Sequence, residues 1–422
     1  MSNGIREGYL PRIVDRELTT RLAASGGVVI EGPKACGKTV TARQKAASEV
    51  LLDVDEAARR AVAIDPSLVL DGPTPRLIDE WQVEPAIWNH LRRAIDDRTL
   101  PGQFLLTGSA VPADDVTRHT GAGRISRLRM RPMSLFESDV SSGAVSLAAL
   151  LAGTPVSAPD SGLKVADFAE RIAIGGWPGM RSLPLAAALR ANRDYLEEIR
   201  RLDVSRVDGK RRDPGKVGQL LRSLARNSAT QASVSTIARD TAGDGEAVSR
   251  ETVIDHLGAL ARLMIVEDQP AWTPHLRSRA ALRRAPKRHF VDPSLAVAAL
   301  RASPTDLLAD LELLGLLFES LVIRDLRVYA QAAEADVLQY RDSRGLEVDA
   351  IVRGQNGSWA AFEVKLGTGQ IDEAAKTLQR FAAKIDTART GTPAALAVIV
   401  GTGYGYTRDD GIAVVPIGAL GP

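Results

Sequence analysis

"EGPKACGKTV", Glu31 to Val40, follows directly on the apolar run "GGVVI" of residues 26–30. An apolar run, a glycine-bearing loop and then a stretch without Gly or Pro read as strand, loop and helix. Gly32, Gly37, Lys38 and Thr39 fill the pattern G-x-x-x-x-G-K-[ST] without a gap. The spacing has a physical basis. Glycines let the backbone curl so that successive N–H groups converge on an anion, and the helix that follows turns its positive end to the same point. Lys38 is then placed for the β and γ phosphates and the Thr39 hydroxyl for Mg²⁺. Gly32, Pro33, Lys34, Ala35, Cys36, Gly37, Lys38, Thr39 and Val40 form the expected cradle for ATP. Cys36, the only cysteine, is expected to pack inside the loop.

Working outward, such a cradle needs acids for the metal and the water. "TPRLIDEW" offers a short strand, Leu77–Ile78, ending in Asp79 and Glu80. Asp79 is placed to hold Mg²⁺ through water and Glu80 to orient or deprotonate the attacking water. The next strand, "QFLLTGSA", ends in Thr107 and Ser109. A parallel sheet would set this tip beside Asp79; a plain turn is the other reading. "GAGRISRLRMRPMSLFE" then places Arg124, Arg127, Arg129 and Arg131 within eight residues. Arg124 follows a glycine-rich loop and is the candidate arginine finger. The other three alternate with Ser126, Leu128 and Met130, as on a strand with a solvated face.

The remaining chemistry-neutral facts set bounds. The 422 residues predict two to four domains. Net charge is +2 and the pI near 8.7, which permits a local nucleic-acid site without demanding one. One cysteine rules out an internal disulfide or a cysteine zinc cluster. No apolar stretch approaches the ~18 residues of a membrane span, and the start, "MSNGIREGYLPRIVDREL", is not a signal peptide. A cytoplasmic protein without a membrane partner is expected.

The order "GYLPRIVDREL", "EGPKACGKT", "LIDEWQ", "LTGSA", "GAGRISRLRMRPMSLFE", "GGWPG" resembles a group of prokaryotic AAA-superfamily ATPases that end in domain of unknown function 4143. The resemblance runs over nearly the whole chain. It implies that Lys38 and Thr39 are Walker A, Asp79 and Glu80 Walker B, Ser109 or Thr107 the sensor, and Arg124 the finger. It further implies that such a finger serves a neighbour's site, hence a homo-oligomer. Pro75 and Arg76 depart from the usual apolar Walker B strand.

The expected fold class is α/β. It comprises an AAA-type P-loop core (1–139), a linker and helical lid (140–210), a winged helix-turn-helix (211–300) and a restriction-endonuclease-like domain (301–422). Residues 140–163, small and nearly uncharged, read as a mobile connector or a long loop. Trp177 reads as packing under the lid. The helix "RETVIDHLGALARLM" would bury Val253, Ile254, Leu257, Leu260 and Leu263, with Ser249 as N-cap, and expose Arg250, Glu251, Asp255 and His256. That face is not basic. The run after it is: Arg277, Arg279, Arg283, Arg284, Lys287 and Arg288. It reads either as a track for a phosphate backbone or as a solvated wing, so DNA and a partner protein are both candidates. His256 and His289 read as structural.

The C-terminal third reads as α-β-β-β-α-β. Asp349 lies in one strand; Glu363 and Lys365 lie two apart on the next, so on one face. Two adjacent carboxylates can hold Mg²⁺ and a lysine can steady developing charge. "EVDAIV…FEVK" resembles the D…E-x-K signature of PD-(D/E)-x-K nucleases. Glu319 matches the helix acid, and Gln379 stands where a supporting polar group occurs. A solvent-facing pair on a scaffold is the plain alternative. Three functions follow as expectations: an ATPase acting on or near DNA, an ATP-regulated Mg²⁺-dependent nuclease, or a nucleotide-switched protein-interaction module without cleavage.

Overall fold

Strands β1 (Gly27–Glu31), β2 (Ser48–Leu51), β3 (Arg76–Asp79), β4 (Phe104–Gly108) and β5 (Ile125–Arg129) form one sheet in the order β2-β3-β4-β1-β5. Every pairing in it is parallel. The computed structural model describes residues 8–109, 120–242, 247–273 and 285–422. Contacts divide the chain into two units: Met1–Pro132 with Asp203–Arg211 and Ala259–Met264, and the remainder.

In the first unit the central strands β1 and β4 are apolar and buried almost throughout, as parallel strands covered on both faces must be. The edge strand β5 buries Leu128, and Met130 just after it, and leaves Arg127 exposed. A layer made from Trp81, Trp88, Ile87, Leu91 and Ile95 packs against the sheet, with the two indole rings 4.8 Å apart.

The second unit holds a mixed sheet of seven strands, in the order β10-β11-β12-β13-β15-β14-β7. Its strands are β7 (Ser157–Ala158), β10 (Ala335–Arg341), β11 (Glu347–Gly354), β12 (Trp359–Lys365), β13 (Ala395–Val400), β14 (Gly405–Thr407) and β15 (Ala413–Pro416). Pairings are antiparallel from β10 to β12, parallel across β12, β13 and β15, and antiparallel beyond. Helices Leu311–Ala332 and Ile371–Ala382 pack on it. Scarce aromatics are concentrated here: Trp272 lies 5.2 Å from Trp359, and Tyr340 lies 4.8 Å from Phe381.

Residues 140–163 differ from the expected connector. They contain β6 (Val145–Ser146), the helix Leu147–Leu151 and β7. β6 pairs with β16 (Leu420–Gly421), and β7 pairs with β14. Ser141 Oγ donates to Leu420 O at 2.6 Å and Ser146 Oγ to Pro422 O at 2.5 Å. The composition misled because small residues here serve close approach: a Cβ on Gly421 would lie 2.9 Å from Gly143 Cα.

A buried ion cluster ties two further motifs together. Arg324 donates to Asp292 at 2.8 Å and to Asp325 at 2.7 and 2.9 Å. Asp325 also accepts from Leu135 N and Asp292 from Gly176 N. Met133 N donates to Gly176 O at 2.6 Å, and a Cβ on Gly176 would sit 2.1 Å from Met133 O. Trp177 is buried, its indole N–H donating to Ser294 Oγ at 3.0 Å. "RPMSLFE" and "GGWPG" are thus a lock around one arginine.

Three helices, Pro214–Arg226, Val234–Asp240 and Arg250–Arg262, precede a two-stranded antiparallel pair, β8 (Val266–Gln269) and β9 (Lys287–Phe290). Ser249 caps the third helix through Thr252 N at 3.2 Å. The expected stripe is offset: Ile254 is 50% exposed and His256 only 3%. The buried positions run Val253, His256, Leu260, Leu263, so the helix is rotated from the expected apolar face. Asp255 is held by the buried Arg212 at 2.8 Å. The outer face carries Arg250, Glu251, Ile254 and Gly258, again without basic character.

Replacing Arg324 with Ala leaves Asp292 and Asp325 buried without a counter-charge. Loss of about 3–5 kcal/mol is expected, read as a lower urea midpoint for the second unit. An unshifted midpoint would remove the cluster's structural role.

Candidate functional site

The cradle is built by backbone conformations that only some residues accept. Gly37 has φ +103° and Ala35 φ +62°. A Cβ on Gly32 would lie 2.3 Å from Met130 O and 2.9 Å from Cys36 Sγ, so the first glycine admits β5's exit strand and the cysteine. Cys36 is buried, its Sγ 3.9 Å from Met130 O. Lys38 is almost fully buried; its Nζ donates to Gly32 O at 3.0 Å and Pro33 O at 2.9 Å. Lys34 points elsewhere, to Asp203 Oδ1 at 2.7 Å. Val40 is exposed at the start of the helix.

The segment before the first helix, whose role sequence reading missed, braces this loop. Arg12 is buried and donates to Cys36 O at 2.8 Å and Arg131 O at 2.7 Å. Tyr9 Oη donates to Asp15 at 2.6 Å and lies 3.0 Å from Thr41 Oγ1. An arginine and a tyrosine in a short polar stretch carry no periodic signal, so only the motif "GYLPRIVDREL" hinted at them.

Parallel pairing brings the tips of β1, β3 and β4 to one edge. Thr39 Oγ1 donates to Asp79 Oδ1 at 2.8 Å, and Thr107 Oγ1 donates to the same oxygen. Glu80 N donates to Thr107 Oγ1 at 3.2 Å. Glu80 has φ +51°, a left-handed conformation that turns the chain at the end of β3. Ser109 Oγ donates to Glu80 Oε2 at 3.2 Å. Gln82 donates to the same carboxylate and lies 3.4 Å from Ser109. Thr39, Asp79 and Thr107 therefore form one set, and Glu80, Gln82 and Ser109 a second beside it.

Arg124 is not part of either. Its carbonyl accepts from Gly27 N at 3.1 Å, and Gly27 is where β1 begins, a strand's length of roughly 15 Å from the cradle. Its guanidinium pairs with Asp96 at 2.6 Å. Arg124 therefore lies at the edge of the sheet away from its own chain's cradle. Arg127 pairs with Glu31 and lies over the Trp88 ring at 5.7 Å.

In the second unit, four elements bring the C-terminal acids together. Lys287 Nζ lies 2.7 Å from Glu319 and 3.1 Å from Asp349. Lys365 Nζ lies 2.9 Å from Glu363 and 3.8 Å from Asp349. Asp349 also accepts from Val364 N at 2.9 Å. A cleft of about 580 Å³ opens on Asp349, Glu363 and Lys365. Burial, and then the Asp349 charge, push Glu363 up to about 8. The same two causes, opposed by Lys287, push Glu319 up to about 7. Burial acts against Asp349's ionisation as well, yet Lys287 and Lys365 bring it below the usual range.

Lys287 and Arg288 were expected in an exposed basic run. Instead Lys287 is 4% exposed, and Arg288 donates to Ala232 O and pairs with Asp268. Arg277, Arg279, Arg283 and Arg284 lie outside the described residues. Gln379 is also corrected: it bonds Asp410 at 3.2 Å on the surface, apart from the acids. His289 is buried between Ser320 and Gln269. An ammonium already lies between Glu319 and Asp349, and among the described residues no group of three His, Cys, Asp or Glu can hold a metal. The acid cluster thus carries a cation of its own, the Lys287 ammonium. A lysine inside a basic run gave no sign that it folds inward.

Fold and site define an AAA-type ATPase that binds and hydrolyses ATP. Family comparisons agree: an AAA domain matches residues 25–138, a domain of unknown function (DUF8612) residues 165–306, and a second (DUF4143) residues 314–420. The N-terminal domain is therefore an AAA-type ATPase domain and the chain carries a C-terminal DUF4143 domain. Uncharacterized proteins of Mycobacterium bovis and Mycobacterium tuberculosis are each 25% identical over 349 residues, 80% of this chain and 70% of theirs. A Walker-type ATPase of Pyrococcus abyssi overlays with a TM-score of 0.42 at 14% identity, over 70% of this chain and 97% of its own. Among the described residues no helix is long and apolar enough to cross a membrane.

The raised carboxyls give a pH signature. Folded Glu363 and Glu319 hold protons that the unfolded chain releases near 4.5. Stability from them is full below that value and is lost as pH rises through about 7 and 8. The second unit's denaturation midpoint should fall over that window, and Glu363→Gln should flatten the fall. An equal slope in the variant counts against the assignment.

Proposed function

We propose that the chain is a Mg²⁺-dependent ATPase acting on or near DNA, whose nucleotide state governs a winged-helix-like and nuclease-like C-terminal half that does not cleave. The observation that carries the ATPase part is the contact of Thr39, Asp79 and Thr107 at the strand tips, with Glu80 alongside. Thr39 and Asp79 are hard oxygen donors 2.8 Å apart, the donor chemistry that suits Mg²⁺. When bound, that ion would neutralise phosphate charge.

The chain's own groups do the rest. Lys38 exchanges its two carbonyl partners for phosphate oxygens, a charge-assisted bond in place of neutral ones. Glu80, held by Ser109 and Gln82, orients the attacking water. Ser109 and Thr107 link the phosphate end of the site to the acids, the position of a sensor. Arg124, at the far end of its strand, suits contact with a second copy, which is the homo-oligomer reading.

For the second unit, three helices followed by an antiparallel pair, and the order α-β-β-β-α-β around Asp349 and Glu363, support the winged-helix-like and nuclease-like readings. Lys287 favours the non-cleaving version. A partner protein instead of DNA is the alternative for the exposed, non-basic helix Arg250–Arg262.

ATP hydrolysis is measured with and without duplex DNA. Glu80→Gln should lower kcat roughly 10²–10⁴-fold with ATP binding kept, while Lys38→Ala should lose binding. DNA that leaves wild-type turnover unchanged would sink the DNA part. Mn²⁺-dependent cleavage by wild type, lost in Asp349→Ala, would sink the non-cleaving part.

A further inference from the structure

We infer that an arginine-lined cleft in the second unit binds the phosphodiester backbone of duplex DNA, which rests on the reading that DNA is the partner. The cleft measures about 480 Å³ and lies among helices Leu185–Glu198, Pro214–Arg226 and Ser294–Leu300. Arg190, Arg193, Arg200, Arg222 and Arg301 line it, against two carboxylates, Asp194 and Glu197. The whole chain carries a net charge of only +2, so this local excess of positive charge is a concentrated feature.

Among the described residues, Arg190, Arg193, Arg222 and Arg301 have exposed side chains with no hydrogen bond or ion pair. Arginines elsewhere are commonly engaged, as Arg212, Arg324 and Arg408 are. Arg200 donates to Glu197 at 2.6 Å, while its Nε is buried without a partner. Gathering unpaired guanidinium groups costs Coulomb energy, which an anion in the cleft would reverse.

Gly218 shows that room is kept for this set. It sits inside the thirteen-residue helix Pro214–Arg226, where glycine is a poor helix former. A Cβ there would lie 3.1 Å from Arg200 Cδ and 3.2 Å from its Nη1. The glycine lets the Arg200 stem lie across the helix and hold its head at the cleft.

The lining also selects the ligand. Guanidinium forks match phosphate oxygens in pairs. The uncharged liners are Leu196, Leu221, Gly218, Ala298 and Ala299. None is aromatic, so no base can stack as single strands require. None is Asn or Gln, so the side chains that read adenine are missing, and the guanidinium forks are left for phosphate oxygens. Contact confined to the backbone is sequence-independent duplex binding.

The test is fluorescence anisotropy of a labelled random-sequence duplex against the full chain over a salt series. It compares wild type, Arg193→Ala/Arg222→Ala, the matching Lys double variant and Arg60→Ala, whose exposed arginine lies elsewhere. Tripolyphosphate is the competing probe, and melting midpoints check folding. The Ala pair should weaken binding at least ~10-fold and reduce the salt slope by about two. The Lys pair should keep the slope, Arg60→Ala should change neither, and ATP hydrolysis without DNA should stay at the wild-type rate. If the Ala pair binds duplex as wild type does, or if tripolyphosphate occupies the cleft without displacing duplex, the cleft assignment is overturned while the DNA reading stands. If wild type binds no duplex, both fall.

Discussion

Parallel pairing of five strands is the constraint from which the ATPase site follows. In a parallel sheet all strand ends of one sense lie on one edge. Asp79 and Thr107 stand at such ends, Thr39 opens the helix that follows the loop after β1, and their hydroxyl and carboxylate oxygens meet. Glu80 and Ser109 come one residue after β3 and β4 and so face each other. The same rule removes Arg124: the residue before β5 belongs to the opposite edge.

The second unit is organised by buried charge. Arg324 holds Asp292 and Asp325, and through them the backbone at Leu135 and Gly176. Lys287 holds Glu319 and Asp349. A buried ion pair gains little net stability over an apolar one, but removal of one member is costly. Such clusters therefore make the fold specific: each carboxylate accepts only the arrangement that supplies its cation. The chemical consequence differs between the two. Around Arg324 the charges are purely architectural. Around Lys287 they give Glu319 and Asp349 an ammonium as their partner.

Much of the first unit was legible. A glycine-spaced anion loop and two acids after a short strand are local patterns, and local patterns are what sequence carries best. Residues whose function depends on a distant partner were not. Arg12 reaches Cys36 and Arg131 from an unremarkable stretch. The small residues of 140–163 look like a linker because Ser and Gly serve both flexibility and close packing, and only the approach of Gly421 to Gly143 separates the two. On helix Arg250–Arg262, Ile254 and His256 exchange their expected places, since neighbours choose which stripe is buried when apolar residues fall on both sides.

By itself the sequence determined the cradle, its acids and the alternation that sets Glu363 and Lys365 on one side of a strand, because spacing of two or 3.6 residues already fixes direction. Tertiary structure decided which charges meet: that Arg124 faces away from this chain's nucleotide, that Lys287 turns inward as a built-in counter-ion, and that arginines from separate segments line one cleft. Those outcomes depend on strand order and helix packing across tens to hundreds of residues, and Coulomb interactions depend on distance in space, which no local pattern records.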